Sequence, residues 1–172
     1  IRFLNDVGME KIRVNLDGKG AVAVGADRLQ DKSKRYYFKE SLEQPPGGVF
    51  VSPFDLNKEF GEIERPLKPM LRIGRPIFDS NGNKRGVVVI NYLGGDLLAK
   101  ISRNSRANSL LPLLINRDGY FLKGLTGEDE WGFMFEDGGD LTLANRFPEA
   151  WLQLQQAEEG QFFTDRGMFT TC

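Results

Sequence analysis

Histidine is absent from the 172 residues of this chain, and cysteine occurs once, at position 172. The lack of histidine removes the usual general base near neutral pH, the common nucleophile–histidine pairs and the commonest transition-metal ligand. A single cysteine cannot form an internal disulfide, and Cys172, as the last residue, is not expected to act as a nucleophile. These absences argue against an enzyme, and we predict neither a metal nor a cofactor.

The chain also lacks a large excess of charge of either sign and lacks long apolar runs. Lys and Arg total 23 and Asp and Glu total 24, interspersed along the chain, so we expect no binding to nucleic acid. The longest apolar runs, such as residues 87–90 and 110–115, are far shorter than the ~20 residues of a membrane-spanning helix. Ile1 begins directly inside an extended pattern without a signal peptide, and we expect a segment to precede it.

Three segments each combine two runs of β-forming residues with a polar turn that contains glycine. Because Asn and Asp tolerate the left-handed backbone and Gly supplies positive φ, each segment predicts a β-hairpin. A further strand pair is expected near the C-terminal end, so the chain should be rich in antiparallel sheet. The paired runs are residues 1–4 with 9–14, 76–78 with 86–92, 113–115 with 120–123, and a last pair within 162–170.

Helices and one long loop are expected between these hairpins. Residues 31–42 have amphipathic spacing and end before Pro45-Pro46-Gly47-Gly48, which predicts a helix. Residues 53–69 form a long polar excursion, and loops of that length are usually functional. The strand at 87–92 is almost wholly apolar, which indicates cover on both faces. A short strand at 49–52, a strand at 70–78 and helices at 96–101 and 148–158 complete the prediction.

The polar stretch at 103–109 is the predicted domain boundary, so that the domains cover residues 1–103 and 104–172. The second domain repeats the order of strands, helix and strands, but it holds fewer strands than the ~5–6 of a usual sheet. The fold class is therefore α+β, with an antiparallel central sheet flanked by helices and loops.

Several stretches of residues resemble a known family. Arg35-Tyr36-Tyr37-Phe38 and the runs at 51–57, 68–79 and 84–92 resemble the membrane-distal module of double Cache sensor domains, which have a PAS-like fold. Residues 116–120 and 131–134 resemble the start of the membrane-proximal module. The resemblance implies a distal module at 1–103 and a partial proximal module at 104–172. The family's long N-terminal helix has no counterpart in this sequence, and we expect the proximal module to be incomplete at its C-terminal end.

The resemblance also implies a place and a role. Such domains lie outside the inner membrane of bacteria, in the periplasm, attached to a histidine kinase, a diguanylate cyclase or a chemoreceptor module. The implied function is that of a ligand sensor, which is not itself an enzyme and which relays its signal through the proximal module to a cytoplasmic output domain. In that family the distal pocket lies between the sheet and the helix and loop that cross it.

Six polar residues of this region are the candidate ligand-binding set. Arginine suits bidentate capture of a carboxylate, and Asp55 could take a ligand ammonium or orient an arginine, so the expected ligand is a small organic acid or amino acid. Arg72 and Asn91 are the most informative, because each lies in an otherwise apolar strand where an unpaired polar group costs roughly 1–3 kcal/mol. The set is Arg35, Tyr37, Ser52, Asp55, Arg72 and Asn91.

Alternatives remain open for several of these residues. Arg72 could pair with Asp55 or Glu64 as internal scaffolding, and Asn91 could mark a sheet edge. One of Tyr36 and Tyr37 should be plain core, because neighbours on a helix do not share a face.

The rival function is a dimerisation or partner-docking module, with a homodimer formed through an exposed sheet face. An acidic group could bind calcium but lacks the EF-hand spacing, which favours a solvated loop; it comprises Asp129, Glu130, Glu136, Asp137 and Asp140.

Overall fold

The structure is a computed structural model that describes residues 1–17, 20–106, 110–156 and 159–171. The chain divides into two compact units, Ile1–Gly94 and Gly95–Cys172, so the first unit ends before the predicted boundary. Residues 107–109 of that boundary, the end of the predicted helix at Glu158, and Cys172 lie outside the described residues. The assignment of the units to a distal and a proximal module stays a prediction.

The first unit is built on an antiparallel sheet with the strand order β3-β2-β1-β9-β8-β4, in which β5 also pairs with β8. Helix α1 packs against β8 and β9. A separate small hairpin is formed by β6 and β7. The elements are β1 (Arg2–Asn5), β2 (Glu10–Asp17), β3 (Gly20–Ala23), α1 (Tyr36–Glu43), β4 (Phe50–Val51), β5 (Asp55–Leu56), β6 (Lys58–Glu59), β7 (Glu62–Ile63), β8 (Pro69–Phe78) and β9 (Lys84–Leu93).

The two hairpins predicted for this unit are confirmed. Strand β1 pairs with β2, and β8 pairs with β9 from Met70 to Phe78. Strand β1 also lies beside β9, so the N-terminal residues occupy the middle of the sheet. Strand β3, which pairs with β2, was not predicted.

The sheet has one covered face and one exposed face. Leu4, Val87 and Val89 point to the covered face, where they form a core with Tyr37 and Phe38 of α1. Burial of each such side chain contributes about 1.5–3 kcal/mol. The prediction that the strand at 87–92 is covered on both faces is wrong. On the opposite face, called here the outer face, Ile77, Ile90 and Tyr92 are 38%, 44% and 46% exposed.

Helix α1 begins later than predicted and lies close to the sheet. Asp31 accepts a hydrogen bond from the Ser33 amide at 2.8 Å, and Arg35 keeps an extended backbone, so the first helical residue is Tyr36. A Cβ atom at position 74 would lie 1.8 Å from Ser41 Oγ of the helix. Gly74 therefore allows α1 to approach β8 more closely than any other residue would.

Residues 53–69 contain regular structure that was not predicted. Strand β5 adds to the edge of the sheet beside Met70 and Pro69, and β6 and β7 form a tight hairpin. Its two turn residues, Phe60 and Gly61, have φ values of 52° and 94°. Positive φ at both central residues is the geometry of the two-residue hairpin turn that matches strand twist.

The second unit confirms both of its predicted hairpins and the position of the helix predicted from Pro148; it also contains the helix predicted at 96–101, which was assigned to the first domain. Trp131 and Phe121 are buried, and Pro148 occupies the first turn of the helix that it begins. The third predicted hairpin is the pair β10–β11, and the last strand pair is β12–β13. The elements are α2 (Gly95–Arg106), β10 (Leu114–Ile115), β11 (Phe121–Lys123), α3 (Leu143–Arg146), α4 (Pro148–Leu154), β12 (Gly160–Thr164) and β13 (Gly167–Thr171).

Candidate functional site

Arg72 lies in the middle of β8 on the covered face of the sheet. Burial alternates along this strand, so that Met70, Arg72, Gly74 and Pro76 are buried together. The arginine is only 1% exposed. A cation at such a depth is stable only when neighbouring groups compensate for the lost hydration.

Two residues of the chain segment from Ser52 to Asn57 compensate that charge, and a third binds the backbone of Arg72. The Arg72 Nη1 atom donates to Asp55 Oδ1, and Nη2 donates to Asn57 Oδ1 at 3.2 Å. The backbone amide of Arg72 donates to Ser52 Oγ at 2.9 Å. Strand β5 carries Asp55 to the edge of the sheet beside β8, which explains why the acid reaches the arginine. The pairing of Arg72 with Asp55 was one of the two scaffolding alternatives, whereas Glu64 bonds to Asn57 and Lys68.

Helix α1 adds aromatic groups to the same cluster. The Tyr37 ring centroid lies 5.0 Å from Arg72 Cζ and 5.5 Å from Arg35 Cζ, within the range of a cation–π contact. The Tyr36 hydroxyl donates to Asp55 Oδ2 at 2.8 Å. Burial, together with the charge of Asp55, raises the pKa of Tyr36 to about 12. Tyr37, the tyrosine chosen for the candidate set, is the core residue of the two, whereas Tyr36 is 37% exposed; both contact the cluster.

Asn91 lies directly opposite Arg72 in the pairing of β8 with β9. Its Oδ1 atom is buried and has no hydrogen-bond partner within the described residues, and the same holds for Arg72 Nε. The candidate set is therefore brought together in space. Ser52, Asp55 and Tyr37 contact Arg72 directly, Arg35 reaches the cluster through Tyr37, and Asn91 faces Arg72 across the strands. Two members of the cluster, Tyr36 and Asn57, are not in the candidate set.

A second buried ionic cluster joins β1 and β2 to the β6–β7 hairpin. Arg2 Nη1 lies 2.8 Å from Glu10 Oε1, and Arg2 Nη2 lies 3.3 Å from Glu59 Oε1. Lys32 Nζ lies 3.6 Å from Glu59 Oε2. Burial acts to raise the pKa of Glu59, but the positive charges of Arg2 and Lys32 outweigh it and hold that pKa below its usual value. Burial lowers the pKa of Lys32.

A cleft of about 350 Å³ opens beside this second cluster, between the start of α1 and the β6–β7 hairpin. Arg35 is the one member of the candidate set that lines it. Three cationic side chains and a single acidic one face the space, together with the ring of Phe60. The lining residues are Gln30, Asp31, Lys32, Arg35, Lys58, Phe60 and Gly61.

In the second unit, two of the acidic loop residues are engaged in ion pairs. Asp129 is buried and accepts hydrogen bonds from Arg146 and Thr126, while Glu130 pairs with Lys123. Within the part of the chain that the structure describes, no three acidic or cysteine side chains converge in a way that could hold a metal ion.

A family model for the sensor domain of bacterial histidine kinases matches residues 1–170. The chain belongs to this family of bacterial histidine kinase sensor domains. The sensor-domain prediction is thereby confirmed at the level of family, and so is the extracytoplasmic location that goes with it. None of the curated proteins compared with the sensor domain matches it.

Two solved structures are similar to the sensor domain. One is the extracellular domain of a protein assigned as a histidine kinase, with a TM-score of 0.81, 25% identity, and coverage of 95% of this chain and 58% of that chain. The other is a domain of a protein from Vibrio parahaemolyticus that is assigned to the sensory box/GGDEF family. Its TM-score is 0.77 and its identity 25%, and the match covers 95% of this chain and 61% of that chain. The sensor domain thus spans about three fifths of the length of each.

These similarities confirm the α+β fold class with its large antiparallel sheet, and they agree with a Cache-type sensor. A sensor domain of this family is a regulatory module. Among the described residues no helix has both the length and the apolar character needed to cross a bilayer.

Proposed function

We propose that the first unit binds a small organic acid or amino acid, and that the whole receptor transmits the signal of ligand binding to a cytoplasmic output domain. The observation that supports this proposal is the pair of buried, unpartnered polar atoms on facing residues. Among the described residues, neither Arg72 Nε nor Asn91 Oδ1 has a hydrogen-bond partner. The proposed contacts are the candidate set Arg35, Tyr37, Ser52, Asp55, Arg72 and Asn91.

The chemistry of the two atoms matches such a ligand. The Arg72 Nε–H group requires an acceptor, which a carboxylate supplies, and Asn91 Oδ1 requires a donor, which an ammonium or hydroxyl group supplies. An unsatisfied buried donor or acceptor costs about 1–3 kcal/mol. A ligand that satisfies both atoms would recover that cost on binding, and an amino acid or a hydroxy acid carries both groups.

Binding at Arg72 would also alter the segment that follows Ser52. Asp55 and Asn57 hold the guanidinium of Arg72 through its Nη atoms, so a ligand carboxylate at Nε would bring a second negative charge to the same guanidinium and weaken the hold of Asp55. Loss of that anchor would change the balance between two arrangements of residues 53–69. The ligand can shift this balance only by its difference in affinity for the two arrangements.

A thermal-shift screen of organic acids and amino acids tests the proposal. At a concentration of ~100 times its Kd, a ligand stabilises the folded state by about 2.7 kcal/mol, which gives a measurable rise in Tm. We expect the rise to be lost in Asn91→Ala and Arg72→Gln. It should persist in the control Arg75→Gln, which changes an exposed arginine on the same strand.

Two outcomes would count against the proposal. A panel without any stabilising compound would reject the ligand class. A compound whose effect is the same in the unaltered domain, in Asn91→Ala and in Asp55→Ala would reject the assignment of the site, while leaving a ligand sensor in place. Asn91→Ala keeps the test valid if the Arg72 or Asp55 variants fail to fold.

The outer face of the sheet supports a second candidate function, a dimerisation or partner-docking module. Ile77, Ile90 and Tyr92 expose apolar surface there, and exposed apolar patches mark interaction sites when they are contiguous. Sedimentation of the domain at several concentrations would detect self-association through this face.

A further inference from the structure

The cleft between α1 and the β6–β7 hairpin has the size of a small-molecule site. Its volume of about 350 Å³ falls in the range of pockets that enclose small ligands. The segment from Gln30 to Lys32 forms one side, and Arg35, just before the helix, lies beside it. The residues Lys58 to Gly61 of the hairpin form the opposite side.

The charges that line this cleft do not balance. Lys32, Arg35 and Lys58 are cationic, and Asp31 is the one acidic residue of the lining. The Asp31 carboxylate already accepts the Ser33 amide in a turn. Within the described residues, no carboxylate forms an ion pair with Arg35 or Lys58. The cleft thus presents a surplus of positive charge to whatever enters it.

Lys32 makes this arrangement more than a group of surface charges. The residue is 6% exposed, and its Nζ atom donates to Gln30 Oε1 at 2.5 Å. Its carboxylate neighbour, Glu59, is 3.6 Å away and also binds Arg2. Because Glu59 is shared between two cations, Lys32 is left only partly neutralised. A buried ammonium group that lines a cleft favours an anion at that place.

The geometry points to a compact dianion as the occupant of this cleft, specifically an organic dicarboxylate, with Lys32 and Lys58 as residues that determine its specificity. One carboxylate would be held by Lys32 and Arg35, and the second by Lys58 across the cleft. The ring of Phe60 would cover the apolar carbons between them. The inference goes beyond the proposed function: neither Arg72 nor Asn91 lines the cleft, so the cleft would be a second binding place for an organic acid, with Arg35 common to both.

Calorimetric titration of the purified domain tests this inference with four matched probes. The probes are succinate, butyrate, alanine and inorganic phosphate, each at low ionic strength and at ~150 mM salt. We expect succinate to bind at least about tenfold more tightly than butyrate or alanine, because only the dianion uses cations on both sides of the cleft. Its affinity should fall with added salt, since Lys58 and Arg35 are partly exposed and are screened.

Two variants locate the effect. Lys58→Gln should weaken succinate binding at least about tenfold and should leave butyrate binding nearly unchanged, which removes the preference for the dianion. Lys39→Gln, which removes an exposed cation from α1, should have no effect on either. Lys58 is half-buried and belongs to a short hairpin, so the variant should fold, and its Tm provides the check.

The outcomes separate this inference from the proposed function. Binding of alanine or butyrate as tight as that of succinate overturns the dianion inference and leaves the sensor proposal standing. The same holds if Lys58→Gln retains the preference for succinate. Tighter binding of phosphate than of succinate overturns the dicarboxylate in favour of an inorganic oxyanion. If none of the organic probes or the wider acid panel binds, both proposals fail.

Discussion

Arg72 and Asp55 form an ion pair inside the first unit, and their variants test what it contributes to stability. Removing one partner leaves a buried charge without its counter-charge, so Arg72→Met and Asp55→Leu should each lower the free energy of unfolding by about 3–5 kcal/mol. The double variant should lose clearly less free energy of unfolding than the two single variants lose together, because two apolar residues of similar size replace the pair. Urea denaturation followed by circular dichroism measures all three.

The same experiment carries its own controls. Arg75→Met changes an exposed arginine on the same strand and should alter the free energy of unfolding by no more than ~0.5 kcal/mol. Trp131 and Trp151 both lie in the second unit, so their fluorescence reports that unit separately. Strictly additive losses in the double variant would show that Arg72 and Asp55 are not energetically coupled.

At the scale of single residues, the sequence was informative where a polar side chain interrupts an apolar strand. Arg72 and Asn91 were singled out on that ground, and they face each other on the covered side of the sheet. The partners Asn57 and Tyr36 could not be predicted, because the path of the loop determines which atoms reach Arg72. Arg2 carried an overlooked signal: it lies two residues before Leu4 on the same strand, and the alternation of β-strands places both on one face.

Gly74 controls how closely helix α1 lies against the sheet, which gives a prediction at the scale of elements. Gly74→Ala places a Cβ atom 1.8 Å from Ser41 Oγ, so the helix must move or the serine must change rotamer. We expect a loss of about 1–3 kcal/mol in the free energy of unfolding, as for other overpacked sites. The thermal or urea unfolding curve measures it.

A matched control and a rescue sharpen this prediction. Gly95→Ala meets no atom within 4 Å and has no unusual backbone angle, so it should not destabilise the domain. Ser41→Gly removes both of the close atoms of the helix and should recover part of the loss when it is combined with Gly74→Ala. Equal stability of Gly74→Ala and the unaltered domain would refute the close contact.

Among the elements, long periodic segments were predicted well and short irregular ones were not. The strands β8 and β9 are ten residues each with a clear glycine-containing turn, and their hairpin was predicted from that pattern. The β6–β7 hairpin turns at Phe60-Gly61 and lacks the Asn-Gly or Asp-Gly signal of such turns, so it escaped notice. The start of α1 was misplaced because the turn at Asp31 precedes the helix with similar polar residues.

For the molecule as a whole, the two buried ionic clusters of the first unit hold one chain segment at two places. Asp55 and Asn57 bind Arg72 of β8, whereas Glu59 binds Arg2 of β1 and Lys32. The proposed ligand contacts lie at both places, at Arg72 and at Lys32. A ligand that draws either cation away from its carboxylate therefore acts on the same segment, and through Glu59 on the strand nearest the N-terminus.

The outer face of the sheet gives the prediction that separates the two candidate functions. If the apolar surface of Ile77, Ile90 and Tyr92 pairs with a second copy, the weight-average mass in sedimentation equilibrium should rise with concentration. Ile90→Lys should abolish that rise, because a buried, unpaired charge would oppose association. The control Leu152→Lys, at an exposed apolar residue of α4, should leave the rise in mass unchanged. A monomer at every concentration would refute self-association through this face and leave ligand sensing as the function that the first unit supports.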